Sequence, residues 1–203
     1  MQTRYLTSIQ DASKFSAYDG PEIALVGRSN SGKSSFLNGL TNVKGIAKTS
    51  QTPGRTQMIN IFLWEIAKDQ KIYLADFPGY GFSQVNRNTK KMWQGTLHEY
   101  LLDKPLAFVL FLMDVRREAT DEEVEFLKSF HHKKLLIATK TDKIGKNQAQ
   151  SQLKRILSYL ERRKVLIEKG FLVSNQNKEG LDEVRNYLID ACCLSRLSQT
   201  SQS

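Results

Sequence analysis

The segment at residues 27 to 34, GRSNSGKS, constrains the fold more than any other part of the sequence. It follows an unbroken apolar run, EIALV, and leads into SSFLNGL, which has the pattern of a helix. In that setting the pattern GxxxxGK(S/T) forms a loop whose backbone N–H groups and helix N-terminus surround a phosphate. A glycine turn that only joined a strand to a helix would not require Lys33 and Ser34. We therefore predict that Lys33 contacts the β- and γ-phosphates of a nucleotide and that Ser34 holds Mg²⁺.

Apolar runs alternate with amphipathic stretches along the rest of the chain. Candidate strands lie at 22–26, 58–66, 71–77, 106–114, 133–140 and 165–174, and candidate helices at 33–41, 89–102, 120–130, 147–163 and 179–192. Runs that are apolar almost throughout are typical of strands buried on both faces of a parallel sheet. The polar residues in 58–66 and the tight link that follows it favour an antiparallel hairpin at the sheet edge. These features predict the three-layer α/β fold of a P-loop NTPase, with a mainly parallel six-stranded sheet and one antiparallel edge strand.

Length and composition favour a single soluble domain. The chain has 203 residues and a formal net charge of +9, which makes a polyanion such as nucleic acid a plausible partner. No apolar run reaches the roughly 20 residues that span a bilayer, and the first residues lack a signal-peptide pattern. We expect a cytoplasmic monomer with no membrane contact. Its expected parts are an N-terminal extension at 1–20 that packs on the domain, the nucleotide-binding domain at 21–192, and a polar, disordered tail at 193–203.

A second phosphate-side motif follows the predicted strand KIYLAD. Asp76 ends that strand, and Phe77, Pro78 and Gly79 complete the pattern DxxG. The pattern is common by chance, so its value comes from its position at the carboxyl end of a buried strand, where ligands of such sheets bind. There Asp76 can hold Mg²⁺ through water, and the Gly79 N–H can contact the γ-phosphate. Loss of that phosphate would release the loop, which predicts a switch.

The sequence TKTD at 139–142 indicates the base. It also follows a predicted buried strand, so it should lie at the same edge of the sheet. The Asp142 carboxylate can accept hydrogen bonds from both N1–H and the 2-amino group of guanine, which adenine cannot supply. Lys140 would lay its alkyl stem along the base. A last base-contacting loop should follow the final strand at 173–175 and offer a backbone N–H.

With these residues in place, the chain resembles the translation-factor-related GTPases, and within them the bacterial ribosome-assembly group called EngB, YihA or YsxC. The resemblance covers about residues 5 to 190. Its marks are GRSNSGKSS, TSQTPGRTQMIN at 49–60, DFPGYG at 76–81, KKMWQ at 90–94, MDVR at 113–116 and TKTDK at 139–143. The resemblance implies a Ras-like G domain that hydrolyses GTP and acts in assembly of the large ribosomal subunit, with the subunit precursor and its rRNA as partners.

The resemblance also implies roles for residues that the pattern alone leaves unassigned. The first switch would lie in TPGRTQ, where Thr56 binds Mg²⁺ in the GTP state, with Thr52 the less favoured candidate. The last base loop of the family usually has two serines or serine and alanine, whereas this chain has Ser174 and Asn175. That departure leaves the frame of this loop open.

Two residues bear on hydrolysis. Many signalling GTPases carry a glutamine after DxxG that orients the attacking water, and this chain has Tyr80 there. We therefore expect slow intrinsic hydrolysis of GTP to GDP. Asn30 matches an asparagine that binds K⁺ in related cation-dependent GTPases, where the ion acts in the place of an arginine finger. Asn30 as a plain turn residue is an equal alternative.

Basic residues suggest how RNA would be contacted. One set, Arg87, Lys90 and Lys91, lies beside the second switch, and another, Lys154, Arg155, Arg162, Arg163 and Lys164, lies on or after a late helix. Phosphate contacts from such residues would make binding fall steeply with salt. Solvated helix faces account for most basic clusters, and the switch-adjacent set is the better candidate because its position could change with the nucleotide.

The predicted site therefore draws on five segments of the chain. The predicted catalytic residues are Lys33, Thr56 and Gly79, and the predicted metal ligands are Ser34, Thr56 and Asp76 for Mg²⁺ and Asn30 for K⁺. The predicted GTP-binding residues are Gly27, Arg28, Ser29, Asn30, Ser31, Gly32, Lys33, Ser34, Ser35, Gly54, Arg55, Thr56, Asp76, Phe77, Pro78, Gly79, Thr139, Lys140, Thr141, Asp142, Val173, Ser174 and Asn175. Two alternatives remain: a GTP-dependent binding module with negligible hydrolysis, and a P-loop kinase that uses ATP.

Overall fold

The structure is a computed structural model that describes residues 1–10, 17–47, 58–79, 95, 99–102 and 104–200, without the side chains of 193–200. Seven strands form one sheet: β1 (Gln2–Ile9), β2 (Glu22–Gly27), β3 (Ile59–Ala67), β4 (Gln70–Asp76), β5 (Leu106–Asp114), β6 (Lys134–Thr139) and β7 (Lys169–Leu172). Among the described residues, helices α1 (Lys33–Thr41), α2 (Asp121–Lys128), α3 (Lys146–Arg162) and α4 (Leu181–Thr200) cover it, and Thr141–Lys143 forms a 3₁₀ turn.

The order of strands across the sheet is β1-β3-β4-β2-β5-β6-β7. Strand β3 runs antiparallel to both of its neighbours, β1 and β4, while β4, β2, β5, β6 and β7 pair in parallel. The predicted fold class is confirmed, with seven strands in place of six. The additional strand is β1, which lies outside β3 and therefore forms the edge of the sheet.

Each face of the sheet supports its own core because side chains alternate between the faces along every strand. Along β2, Ile23 and Leu25 pack with Phe36 of α1 and Val184 of α4 in one apolar cluster. The intervening residues of β2 join a second cluster that includes Val124 of α2 and Ile156 and Leu160 of α3. Helices therefore cover both faces, which is the predicted three-layer arrangement.

Local sequence signals account for several of the element boundaries. The Thr120 hydroxyl accepts a hydrogen bond from Glu123 N, and the Glu123 carboxylate accepts one from Thr120 N at 2.9 Å, so a capping box begins α2. The turn between β3 and β4 is held at Asp69, whose φ is 63°. Helix α4 continues to Thr200 and thus runs through most of the segment for which the sequence favours disorder.

The helix that follows the phosphate-binding loop is held at its far end by α4. Arg185 of α4 donates to the backbone oxygens of Leu40 (2.7 Å) and Gly39 (3.0 Å), near the carboxyl end of α1. A cation there satisfies carbonyls that have no partner within the helix and complements its dipole. Helix α1 is therefore fixed between the nucleotide loop at one end and α4 at the other. Among the described helices, none combines the length and the apolar character that a membrane span requires.

Candidate functional site

The predicted phosphate-binding loop lies where β2 passes into α1. Gly27 ends β2 so close to β5 that a Cβ atom there would come within 2.4 Å of the Leu112 backbone oxygen, a separation that only glycine allows. Asn30 and Gly32 adopt left-handed backbone angles, with φ of 62° and 91°, and Ser31 N donates to Arg28 O at 3.1 Å. These turns curl the backbone into the compact loop that the sequence pattern predicts.

Lys33 is buried at the base of this loop. Its ammonium group donates to the backbone oxygens of Gly27 (3.0 Å) and Arg28 (3.2 Å). Burial lowers the pKa of Lys33, and the nearby carboxylate of Asp76 works against that shift. The amine is thus held inside the ring of the loop, where a phosphate group would meet it.

Asp76 ends β4, close enough to Lys33 for the two charges to interact. Its side chain is buried, and among the described residues its Oδ1 atom has no hydrogen-bond partner. Burial raises the pKa of Asp76 to about 6, and the Lys33 ammonium opposes that rise. A buried carboxylate oxygen without a partner is unusual in a folded protein and is typical of a position that holds a cation or water. The residues present therefore fit a Mg²⁺ site built from Asp76 and the Ser34 hydroxyl.

The DxxG loop packs directly on the phosphate-binding loop. A Cβ atom on Gly79 would lie 2.7 Å from Ser29 N and Cα, so the two backbones touch. The Ser29 hydroxyl donates to Gly79 O at 3.4 Å, and Phe77 N donates to Leu25 O at 3.1 Å. The Phe77 ring meets Tyr100 edge to face, with 5.2 Å between ring centroids. The loop is thus connected to the nucleotide loop on one side and to residues 99–102 on the other.

The predicted base motif lies at the carboxyl end of β6. The buried Thr139 hydroxyl contacts two segments, through Ser31 O at 2.7 Å and Met113 O at 3.1 Å. Lys140 follows with a left-handed φ of 61°, and Thr141 N donates to Val173 O at 3.3 Å. The motif is therefore bonded to the phosphate-binding loop and to the predicted last base loop.

Asp142 is held by its neighbours in an ionised form. Its Oδ1 accepts a hydrogen bond from the Ser174 hydroxyl at 2.9 Å, and its Oδ2 lies 3.1 Å from the Lys143 ammonium. Burial raises the pKa of Asp142, but the bonds from Lys143 and Ser174 outweigh it, and the pKa is lowered. A charged acceptor is what the donors on the edge of guanine require.

A cavity of about 810 Å³ lies between α1, the base motif, the last loop and the start of α4. Its walls include Gly32 and Ser35 of the phosphate-binding segment, Lys140 and Asp142 of the base motif, and Asn175 of the last loop. The structure thus brings together predicted residues from three separate parts of the chain. Gly54, Arg55 and Thr56, with Tyr80 and the switch-adjacent Arg87, Lys90 and Lys91, lie outside the described residues.

Two parts of the site were not assigned from sequence. Asp114, at the end of β5, forms an ion pair with Lys140 and accepts hydrogen bonds from Arg116, so the base motif is braced by a residue of the neighbouring strand. The signal was the segment MDVR, which the resemblance marked without giving it a role. Arg185, which caps α1, has no motif of its own and is recognisable only from the packing of α4.

The family described as 50S ribosome-binding GTPase matches residues 22–141, from β2 to Thr141 within the base motif. The chain is 46% identical over 174 residues to a probable GTP-binding protein EngB of Clostridium perfringens, which covers 84% of this chain and 85% of that protein. It is 40% identical to a protein of the same description from Fusobacterium nucleatum, covering 84% and 86%.

The chain belongs to the EngB family of GTP-binding proteins. The matches span most of this chain and most of each EngB relative. Membership of this family supports GTP binding. The predicted family is confirmed.

Solved structures agree on the fold. A probable GTP-binding protein EngB superposes with a TM-score of 0.65 at 20% identity, covering 84% of this chain and 98% of the other. Era of Aquifex aeolicus, crystallised with GDP and aluminium fluoride, gives a TM-score of 0.66 at 20% identity over 84% of this chain and 56% of Era. At such low identities the likeness supports the common fold of EngB and related P-loop GTPases.

Proposed function

We propose that this EngB-family chain hydrolyses GTP to GDP and acts as a nucleotide-dependent switch in assembly of the large ribosomal subunit. The observation that carries the proposal is the direct contact between the DxxG loop and the phosphate-binding loop at Gly79 and Ser29. A γ-phosphate in the phosphate loop would have the Gly79 backbone beside it, so its loss on hydrolysis would change what holds the loop. The family description, 50S ribosome-binding GTPase, supports the large subunit as the partner.

In the proposed reaction, water attacks the γ-phosphorus of GTP and the bond to the β-phosphate oxygen breaks, releasing GDP and phosphate. Lys33 would balance negative charge on the β- and γ-phosphates, and the Gly79 N–H would orient the γ-phosphate. Ser34, Thr56 and, through water, Asp76 would hold Mg²⁺, which supplies charge neutralisation at the phosphate oxygens. The unpartnered Oδ1 of Asp76 supports that assignment.

The rate of hydrolysis separates this proposal from that of a GTP-dependent binding module with negligible turnover. Tyr80 in place of a water-orienting glutamine favours a slow intrinsic rate that a partner increases. Single-turnover hydrolysis should therefore be slow for the isolated protein and at least about tenfold faster with large-subunit precursors in excess. No detectable turnover in either condition would favour the binding module. The GTP-binding relatives remove the reason to retain an ATP-dependent kinase.

The role of K⁺ is a separate part of the proposal. Asn30 is exposed at the tip of the phosphate-binding loop in a left-handed conformation, a geometry that suits an ion ligand and a plain turn equally. Turnover measured in KCl and in NaCl at equal ionic strength decides between them. Faster turnover in KCl that disappears in Asn30→Ala supports the ion, and equal rates in the two salts contradict it.

Ribosome binding would involve the basic residues beside the second switch. Residues 80–94 contain Arg87, Lys90 and Lys91 and no acidic residue. In the late-helix set, by contrast, Arg155 and Arg163 are already paired with Glu118 and Asp121. Lys90→Glu with Lys91→Glu should weaken co-sedimentation with precursor particles and reduce its salt dependence, whereas Lys154→Glu with Arg155→Glu serves as the matched control.

The nucleotide dependence of that binding tests the switch itself. Precursor particles should retain the GTP-analogue form in preference to the GDP form, since only the former has a γ-phosphate to hold the Gly79 loop. Equal retention in the two states would overturn the switch proposal. On this account the protein works in the cytoplasm as a monomer, in contact with rRNA.

A further inference from the structure

The carboxyl ends of β5 and β6 bring a buried carboxylate next to the base motif. Asp114 is the register partner of Thr139, the residue just before Lys140. Lys140 then turns out of the strand through its left-handed conformation, and its ammonium lies 3.2 Å from Asp114 Oδ2. The pair therefore joins two neighbouring strands at the edge where the cavity lies.

The Asp114 carboxylate is itself fixed. Its Oδ1 accepts hydrogen bonds from Arg116 N (3.1 Å) and Nε (2.9 Å), and its Oδ2 accepts one from Arg116 Nη2 (2.6 Å). Only 9% of the Asp114 side chain is exposed, against 31% for Lys140 and 47% for Arg116. A fork of guanidinium donors gives a carboxylate a defined orientation, so Lys140 meets an anion whose direction is set by Arg116.

The charge on Asp114 is secure at neutral pH. Burial raises the pKa of this carboxyl, but the hydrogen bonds from Arg116 and the charge of Lys140 together hold it well below the usual range. Lys140 is thus anchored by a permanent anion.

The anchor matters because a lysine stem is flexible. Lys140 lines the cavity together with Asp142, and its four-carbon chain can only serve as a wall for a base if its end is held. Ordering a free lysine on binding would cost rotamer entropy that a prior ion pair has already removed. The same anchor keeps the Lys140 ammonium on the β5 side, while Asp142 is partnered by Lys143 and Ser174.

We propose that Asp114 is a positioning residue of the guanine site, which fixes the Lys140 ammonium so that the lysine stem forms one wall for the base. Arg116 in turn orients the Asp114 carboxylate through its hydrogen bonds. This inference rests on the proposed contact between Asp142 and guanine. It assigns a function to MDVR, which links the family's phosphate motifs to its base motif in sequence.

A double-mutant cycle tests the inference. Asp114→Asn keeps the shape of the side chain and loses its charge, and it should raise the Kd of GDP and of GTP by about tenfold, equivalent to about 1.4 kcal/mol. Lys140→Met should do the same. Because both changes remove the same ion pair, the double variant should also lose about tenfold in nucleotide affinity. Two independent sites would lose about a hundredfold. Asp121→Asn, which removes an ion pair remote from the cavity, is the matched control and should leave both Kd values unchanged.

Several results would overturn the proposal. They are an unchanged Kd in Asp114→Asn, a loss that persists in the Lys140→Met background, or a loss that differs more than about threefold between GDP and GTP, since the pair acts on the base half alone. If Asp114→Asn does not fold, Lys140→Arg and Lys140→Met decide instead. Arginine keeps a cation within reach of Asp114 and should bind within about threefold of the parent protein, whereas equal losses in both would contradict the anchor.

A separate arm distinguishes failure of this inference from failure of the guanine assignment. Asp142→Ala should abolish tight binding of both nucleotides. If Asp142→Ala binds normally, the base motif itself has been misassigned. If Asp142→Ala loses binding while Asp114→Asn does not, the guanine site stands and the positioning role of Asp114 is wrong.

Discussion

The two halves of the nucleotide site differ in how their charges are partnered. In the base half, at the ends of β5 and β6, Asp114 and Asp142 each have hydrogen-bond or ion-pair partners, and the pKa of each is lowered. In the phosphate half, at the ends of β2 and β4, Lys33 and Asp76 are buried and burial shifts both pKa values toward the neutral form. The base half is thus organised in advance, whereas the charged groups of the phosphate half lose hydration on burial, which phosphate and Mg²⁺ would compensate.

The division has a functional consequence. In the proposed GTPase cycle, a rigid base half would retain the nucleotide in both states, because the base does not change on hydrolysis. The phosphate half is where the two states differ, and it includes the loop contact at Gly79.

Disturbing the backbone of the phosphate half should have the largest effect on stability. In Gly27→Ala the new Cβ would overlap the Leu112 backbone oxygen, so β2 and β5 must separate. The free energy of unfolding should fall by about 3 kcal/mol, measured by urea denaturation without nucleotide. Gly145→Ala is the control because a Cβ there meets no atom within 4 Å, and a similar loss in both variants would contradict the account.

Removing the buried charge of Asp76 should stabilise the nucleotide-free protein. The folded pKa of about 6 lies above the ordinary value of about 3.9, so the native state holds its proton more tightly than the unfolded chain does. Stability from this group is present below about pH 4 and is lost as the pH rises toward 6. Asp76→Asn should therefore be more stable at pH 7, by on the order of 2 kcal/mol, and should lose that part of the pH dependence.

Asp76→Asn should also bind Mg²⁺ and GTP less well, so the same change should raise stability and weaken ligand binding. Urea denaturation at pH 4, 5, 6 and 7 measures the first effect, and the Mg²⁺ dependence of GTP affinity measures the second. Asp190→Asn, a change at an exposed carboxylate, should alter neither. A lower stability of Asp76→Asn at pH 7 would show that the carboxylate is favourably partnered, contrary to the comparison.

The Thr139 hydroxyl links the two halves of the site, and its removal should lower both stability and nucleotide affinity by a smaller amount. Thr139→Val keeps the size of the side chain and removes the two buried hydrogen bonds to Ser31 O and Met113 O. We expect a loss of about 1.5 kcal/mol in stability and a several-fold weaker affinity for GDP. Thr7→Val on the exposed edge strand is the control. A normal GDP affinity in a destabilised Thr139→Val would mean that the hydroxyl supports the fold without coupling the two halves.

The smallest effect on stability is expected where α4 caps the carboxyl end of α1. Arg185→Ala removes the hydrogen bonds to Gly39 O and Leu40 O and should lower the free energy of unfolding by about 1 kcal/mol. Arg155→Ala removes an exposed ion pair with Glu118 and should have little effect on the melting temperature. Equal melting temperatures for the two variants would show that the cap contributes nothing measurable.

The parts of the fold that the sequence predicted are those with strong local signals. Helix α1 and strand β5 have the predicted bounds, 33–41 and 106–114, because a phosphate-loop pattern defines one and a continuous apolar run defines the other. Strand β1 was not predicted because half of its residues are exposed and it carries little hydrophobic periodicity. It gains its structure by pairing with β3, between Gln2↔Glu65 and Ile9↔Ile59, which are distant in sequence.

In the site, too, only the features with strong local sequence signals were predicted. Motifs predict which segments meet at the cavity, since the carboxyl ends of parallel strands share one edge. The motifs do not predict the ion pair between Lys140 and Asp114, because that contact depends on strand register. They also do not predict the raised pKa of Asp76, because it depends on burial in the folded protein. Local sequence patterns therefore predict which residues form the site, whereas tertiary packing decides the charge states of those residues.

The most direct test of the account is to exchange the base that Asp142 recognises. Xanthine carries a carbonyl where guanine carries its 2-amino group, so an asparagine can accept from N1–H and donate to that carbonyl, which a carboxylate cannot do. GTP and xanthosine triphosphate should be titrated into the parent protein and Asp142→Asn. The account predicts a preference of at least about 100-fold for GTP in the parent and a reversed preference in the variant. A variant that binds GTP as tightly as the parent does, and gains no affinity for the xanthine nucleotide, would contradict it.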